Sequence, residues 1–122
     1  LNVTCVFTPE QAEVAAAALS PDTPAIISLF AGRLADTGID PLPLIGHARK
    51  SAVRVPKAEL LWASTREVYN IWQAAESGCD IITVPPAMAE KLKQVGKTAH
   101  QLSVEAVQNF MRDTANSVVT FA

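Results

Sequence analysis

Ala25-Ile26-Ile27-Ser28-Leu29-Phe30-Ala31-Gly32-Arg33 is the stretch on which the fold turns. Its first six residues are apolar apart from Ser28, with no alternation between dry and wet positions. A strand with one solvated face alternates, whereas a strand apolar on both faces belongs in a parallel sheet covered by helices. Residues 31–38 then read as a loop. Asp40-Pro41 opens an amphipathic segment that runs to about residue 54 and stops before Pro56.

The same strand-then-helix unit recurs on either side. Residues 2–7 (NVTCVF) are β-branched and aromatic, and Thr8-Pro9-Glu10-Gln11 has the form of a capping box with proline at the first helical position, predicting a helix over 9–19. Residues 59–63 (ELLWA) and 80–84 (DIITV) are two further short apolar runs. Ser64-Thr65-Arg66-Glu67 predicts a helix over 67–77, closed by Gly78. Pro85-Pro86 starts a helix through about residue 94, ended by Gly96, and Ser103 caps a last helix over 104–116.

The order is therefore βαβαβαβα with one extra terminal helix, in a single domain of residues 1–122. The expected fold is α/β: four parallel strands in sequence order with their helices on one face. Right-handed crossovers put every strand C-terminus at one end of such a sheet, and ligands bind at that end. Thr8, residues 31–36, residues 64–67, Pro85 and Pro86 fall there.

Composition removes several function classes. The net charge is −2 and no basic block exceeds two residues, so the clustered Lys and Arg of a nucleic-acid footprint are missing. No apolar run approaches the roughly 18 residues of a membrane span, and nothing reads as a signal peptide. Cys5 and Cys79 sit in apolar segments and read as buried thiols of a reducing cytoplasm. With only His47 and His100, and no cysteine pair at ligand spacing, neither a metal nor a cofactor is expected. Leu1 in place of Met is the expected mark of a truncated, processed or partial chain, and tag removal leaves the same one.

Arg33 lies beside Gly32, which permits close backbone approach, and it reads either as a surface arginine paired with Asp36 or as a ligand group. Ser64 and Arg66 divide in the same way. Ser64 with Glu67 fits a capping box, yet a helix N-terminus, a hydroxyl and a guanidinium also make a phosphate site. Arg33 would add a second bidentate donor. Trp62 reads as core. Tyr69 and Trp72, at i, i+3 spacing, read as packing residues. His47, mid-helix, and His100, in a loop, carry no assigned role.

Asn2-Val3-Thr4, Ile27 through Arg33, Ala63-Ser64-Thr65-Arg66 and Gly78 through Pro85 stand in the order and spacing of transaldolases and bacterial fructose-6-phosphate aldolases. The chain resembles the C-terminal half of that family's (β/α)8 TIM barrel over nearly its whole length. The resemblance implies that Arg33, Ser64 and Arg66 hold a sugar phosphate, that Asn2 and Thr4 support the chemistry near a Schiff base, and that Ser28 lines the pocket. It also implies that the family's Schiff-base lysine, with its Asp and Glu partners, would precede Leu1. None of Lys50, Lys57, Lys91, Lys93 or Lys97 falls at a strand C-terminus, so the chain on its own is expected to be inactive. The alternative is a non-catalytic phosphate-binding or assembly module.

A half-barrel leaves two bare strand edges and an uncovered inner face, expected near Val3, Ile27, Leu61 and Ile82 or their immediate neighbours. Exposed edges recruit further strands, so at least a homodimer is expected.

Overall fold

The apolar runs pair as expected in the computed structural model, which describes residues 1–116. Strands β1 (Asn2–Val6), β2 (Ala25–Leu29), β3 (Ala58–Trp62) and β4 (Ile81–Ile82) form one sheet in the order β1-β2-β3-β4, every pair parallel. Helices α1 (Pro9–Ala18), α2 (Ala31–Ala35), α3 (Leu42–Ala52), α4 (Asn70–Ser77) and α5 (Pro86–Lys91) alternate with or follow the strands. This is an open (β/α) half-barrel. Two compact units divide the chain, Leu1–Glu90 with the sheet, and a second from Lys91 that holds a 3-10 turn (Leu92–Gln94) and helix α6 (Ala99–Asn116).

The core lies between the sheet and its helices. Ile27, Leu29, Leu60 and Trp62 supply the strand side, Ala12 and Ala16 come from α1, and Leu44, Ile45 and Ala48 from α3. Alanine dominates α1's buried face, which lets that helix lie close to α3 and to the strands. Burying each of the larger side chains contributes on the order of 1.5–3 kcal/mol.

Val3 and Val6 are three residues apart, so regular alternation would send them to opposite faces. Both face the helices because the β1–β2 register shifts between them, with Cys5 at φ 59. The bulge restores Val6, 3% exposed, to the core. It also turns Cys5 outward: the thiol expected to be buried is exposed. Cys79 is the half-buried one, and desolvation lifts its pKa from 9.0 to about 11, with the Asp80 carboxylate pushing the same way.

The capping box at α1 forms as the sequence indicates. Thr8 Oγ1 accepts from Gln11 N–H at 3.1 Å, and Gln11 Oε1 accepts from the Thr8 and Phe7 amides. A second box of the same type, Thr98 with Gln101, starts α6 at Ala99 rather than after Ser103. His100 thus stands in the first turn of a helix and not in a loop.

Other elements depart from expectation for identifiable reasons. Residues 31–35 form a helical turn, not a loop. β4 keeps two residues of an expected five, its last ladder bond running from the Thr83 amide to the Trp62 carbonyl at 3.1 Å. Asp80 is taken by a side-chain role, its carboxylate accepting the Leu60 amide at 2.8 Å and pairing with Arg49 at 3.4 Å. Gly78, at φ 95, closes α4 as expected and packs against the Arg49 side chain. Tyr69 and Trp72 are exposed rather than packed.

The uncovered face of the sheet carries Leu61 and, for the other positions named, their immediate neighbours Ser28 and Ile81. Ile27 is fully buried in the core, and Val3 and Ile82 pack against it. Of the four residues named for the open face, Leu61 alone lies there, in register with Ser28 and Ile81. Strand parity accounts for this: Leu60 and Trp62 take the helix side, which leaves Leu61 the other. That face is polar toward β1, where Ser28 meets Asn2.

Candidate functional site

At the C-terminal end of the sheet the loops after β2 and β3 touch backbone to backbone at Gly32. Gly32 N–H donates to the Ala63 carbonyl at 3.3 Å. A Cβ built on Gly32 would stand 1.4 Å from the Ser64 carbonyl oxygen and 3.2 Å from Arg66 Cγ. No side chain fits there. The glycine expected to permit close approach does so against its own neighbouring loop.

Ser64 reaches this contact with φ 62, a left-handed backbone costly for a residue with a side chain. It does not cap a helix. α4 begins at Asn70, and the Arg66 and Glu67 amides both donate to Asn70 Oδ1 at 3.0 Å. The side chain of Asn70 ties back the segment where Ser64 was expected to start a helix, and Asn70 Nδ2 itself donates to Gln73 Oε1 at 2.9 Å. The capping-box reading of Ser64 is therefore set aside, and with it a set of free helix-terminal amides at Arg66 and Glu67.

Arg66 and Arg33 stand on the two loops so joined. Arg66 pairs with Asp36 of the preceding loop, Nε and Nη2 both donating to Oδ2 at 2.9 and 2.7 Å. Asp36 was expected to pair, if at all, with Arg33. Arg33 instead lies over the Phe30 ring, its guanidinium carbon 5.3 Å from the centroid. Phe30 in turn meets Phe7 at 5.4 Å with the rings tilted by 59°. The aromatic pair gives Arg33 a flat seat while leaving its edges free to donate.

Toward β1 the polar residues form a smaller group. Ser28, 3% exposed, donates to Asn2 Oδ1 at 2.7 Å. Thr4 is exposed on β1, two residues on. Thr65 is buried between Ser64 and Arg66, and its hydroxyl has no partner among the described residues.

The lysines lie elsewhere. Lys57 precedes β3 and donates to the Asp22 carbonyl at 2.9 Å, at the opposite end of the sheet. In the second unit Lys97 pairs with Glu105 at 2.9 Å. Among the described residues no group of His, Cys, Asp and Glu could hold a metal ion, and no helix is long and apolar enough to cross a membrane.

Three residues of this site escaped the sequence reading in their roles. Asn70 carried a signal only in hindsight, as an amide four residues after Arg66 just where the helix begins. Phe7 and Phe30 close two neighbouring strands, and their adjacency follows from strand order once that is known.

Comparison with known proteins bears on this arrangement. Residues 1–120 match the family model of the transaldolase/fructose-6-phosphate aldolase family. A probable transaldolase of Nitrosopumilus maritimus is 36% identical over 115 residues, which cover 93% of this chain and 48% of that protein. Probable transaldolases of Parvibaculum lavamentivorans and Brucella melitensis are 36% and 35% identical, over 93% and 96% of this chain. The chain spans about half the length of these relatives, 48–50%.

The Gly32 contact yields a direct test. Gly32→Ala places a methyl group on a backbone oxygen that cannot swing aside, so the two loops must separate. The expected loss is about 1–3 kcal/mol of stability, the usual range for overpacking. Urea denaturation reads it, and an unchanged midpoint would show that the two loops are not in contact.

Proposed function

The chain belongs to the transaldolase/fructose-6-phosphate aldolase family, and on that footing we propose that it is the C-terminal, sugar-phosphate-binding half of a transaldolase-like enzyme. In such an enzyme a lysine amine condenses with a ketose phosphate, the bond beyond the iminium carbon breaks, and a dihydroxyacetone unit passes to an aldehyde acceptor. This chain contributes the grip. Arg33, Ser64 and Arg66 hold the phosphate, Asn2 and Thr4 support the reacting end, and Ser28 lines the pocket between them. The reaction needs neither metal nor organic cofactor for that chemistry, and the unpaired thiols of Cys5 and Cys79 fit a cytoplasmic location.

The observation that carries the reading is the joining of the β2 and β3 loops by Gly32 on Ser64, which sets Arg66 beside the segment bearing Arg33. Two guanidinium groups at adjacent strand C-termini suit a dianion of tetrahedral shape. Titration with inorganic phosphate at low ionic strength tests it. Arg66→Ala should weaken binding by about 1.5–3 kcal/mol, the range for a hydrogen bond to a charged group. Equal affinity in the parent and in Arg33→Ala/Arg66→Ala would place the phosphate elsewhere.

The Schiff-base nucleophile belongs, on this reading, to the half of the barrel that this chain lacks. A nucleophilic lysine needs a desolvated pocket that lowers its pKa. Lys50, Lys57, Lys91 and Lys93 are exposed, and Lys97, half-buried, pairs with Glu105. Borohydride treatment with fructose 6-phosphate should therefore leave the mass of the isolated chain unchanged. A stoichiometric adduct on any of its lysines would overturn the assignment.

The second reading, a stand-alone binding or assembly module, draws on the uncovered edges. β1 and β4 each pair on one side only. Beside β1 an apolar groove of about 540 Å3 runs along α1, lined by Leu1, Val3, Val6, Val14 and Leu19 among others. A two-fold pair of copies, edge to edge, would cover both. Sedimentation at micromolar concentration should then give a species of twice the 13.0 kDa chain mass, and a folded monomer would rule such pairing out.

A further inference from the structure

The geometry points to Asp36 as a positioning residue for phosphate, one that holds Arg66 by a single edge of its guanidinium and leaves the opposite fork for the anion. The inference rests on the phosphate reading above and adds a residue to it. Asp36 receives Nε–H and one Nη2–H of Arg66 on the same oxygen, Oδ2, at 2.9 and 2.7 Å. A guanidinium has five N–H donors in one plane. With that side edge taken, the two Nη1–H bonds and the remaining Nη2–H stay available, and the end-on fork matches two oxygens of one phosphate.

Asp36 is itself fixed by backbone. Its amide donates to the Gly32 carbonyl at 3.0 Å as the last link of α2, and Gly32 lies against Ser64 and the Arg66 stem. The carboxylate, the glycine contact and the arginine thus close a ring across the two loops. Both side chains of the ion pair are about half exposed, 48% and 49%. An exposed pair of this kind adds little to stability. Its consequence is orientation: an unpaired arginine here would sample many rotamers and bind an anion only after losing that freedom.

The carboxylate also carries a negative charge close to where a dianion would sit, and that charge opposes binding. Two substitutions separate the effects. Asp36→Asn and Asp36→Ala both remove the charge, but asparagine keeps a carbonyl oxygen that can accept the same two N–H groups. Comparing them cancels the repulsion and isolates the orientation.

Calorimetric titration with inorganic phosphate at one pH and one low ionic strength makes the comparison. Asp36→Ala is expected to bind about three- to fivefold more weakly than Asp36→Asn, the scale of one net hydrogen bond. In an Arg66→Ala background the two variants should bind alike, since the group being oriented is gone. Equal affinities of Asp36→Ala and Asp36→Asn with Arg66 in place overturn the assignment, as does a difference between them that survives removal of Arg66. Should Arg66→Ala and Arg33→Ala/Arg66→Ala bind phosphate like the parent, the phosphate reading itself falls, and the inference with it. A loss on Arg66→Ala without a difference between the Asp36 variants leaves the phosphate site standing and removes Asp36 alone.

Discussion

Two loops meet at the C-terminal end of this sheet because one of them has no side chain. The α-carbon of Gly32 occupies space that a methyl group would have to share with the carbonyl oxygen of Ser64. From that contact follow the placement of Arg66 over Gly32, the reach of Asp36 to Arg66, and the left-handed turn at Ser64. A left-handed serine is strained, and its surroundings hold it there: Gly32 N–H on Ala63 from one side, Asn70 on the Arg66 and Glu67 amides from the other. Sparsely populated backbone of this kind concentrates where geometry is prescribed by a ligand rather than by packing.

The same logic acts at β1. The bulge at Cys5 spends a second left-handed residue to send Val3 and Val6 to one face. What it gains on the other face is a polar edge, with Asn2 on Ser28. The two strained residues of the first unit thus lie at the mouth ends of β1 and β3, the strands that flank β2, and not in the helices that bear on stability. Surrounding them, Ile27, Leu29, Leu60 and Trp62 form a dry layer rigid enough to hold such conformations in place.

Strand count, direction and order were legible in the sequence because both-face-apolar runs admit few alternatives to a covered parallel sheet. Ala25–Leu29 and Ala58–Trp62 were each legible to within a residue. Helix starts were legible where a side chain declares itself, as at Thr8 and Gln11. The box at Thr98 and Gln101 carries the same signal, and Ser103, five residues on, offers a competing cap. What could not be read were the events that depend on two segments at once. The bulge is decided by Val6 reaching the core, and the start of α4 by Asn70 competing with Ser64 for the same amides. Asp36 was legible as a partner for an arginine, but strand adjacency and not sequence proximity selects Arg66. For the site residues, position at strand ends was derivable from topology, whereas Arg33's seat on Phe30 needed coordinates.

The two arginines are held in unlike ways, and the difference bears on how an anion would be received. Arg33 rests on an aromatic face, an attraction that leaves every N–H free and tolerates rotation in the plane of the ring. Arg66 is fixed through its N–H groups and can rotate little without breaking a bond to Asp36. A rigid donor fixes where an anion sits, and an adaptable one closes around it. Were both rigid, the spacing between loops would have to match the anion to a few tenths of an ångström. Were both loose, the ordering cost would fall on binding twice. One of each places the whole burden of accuracy on the contact between Gly32 and Ser64, which backbone atoms alone define and which no side-chain motion can relax.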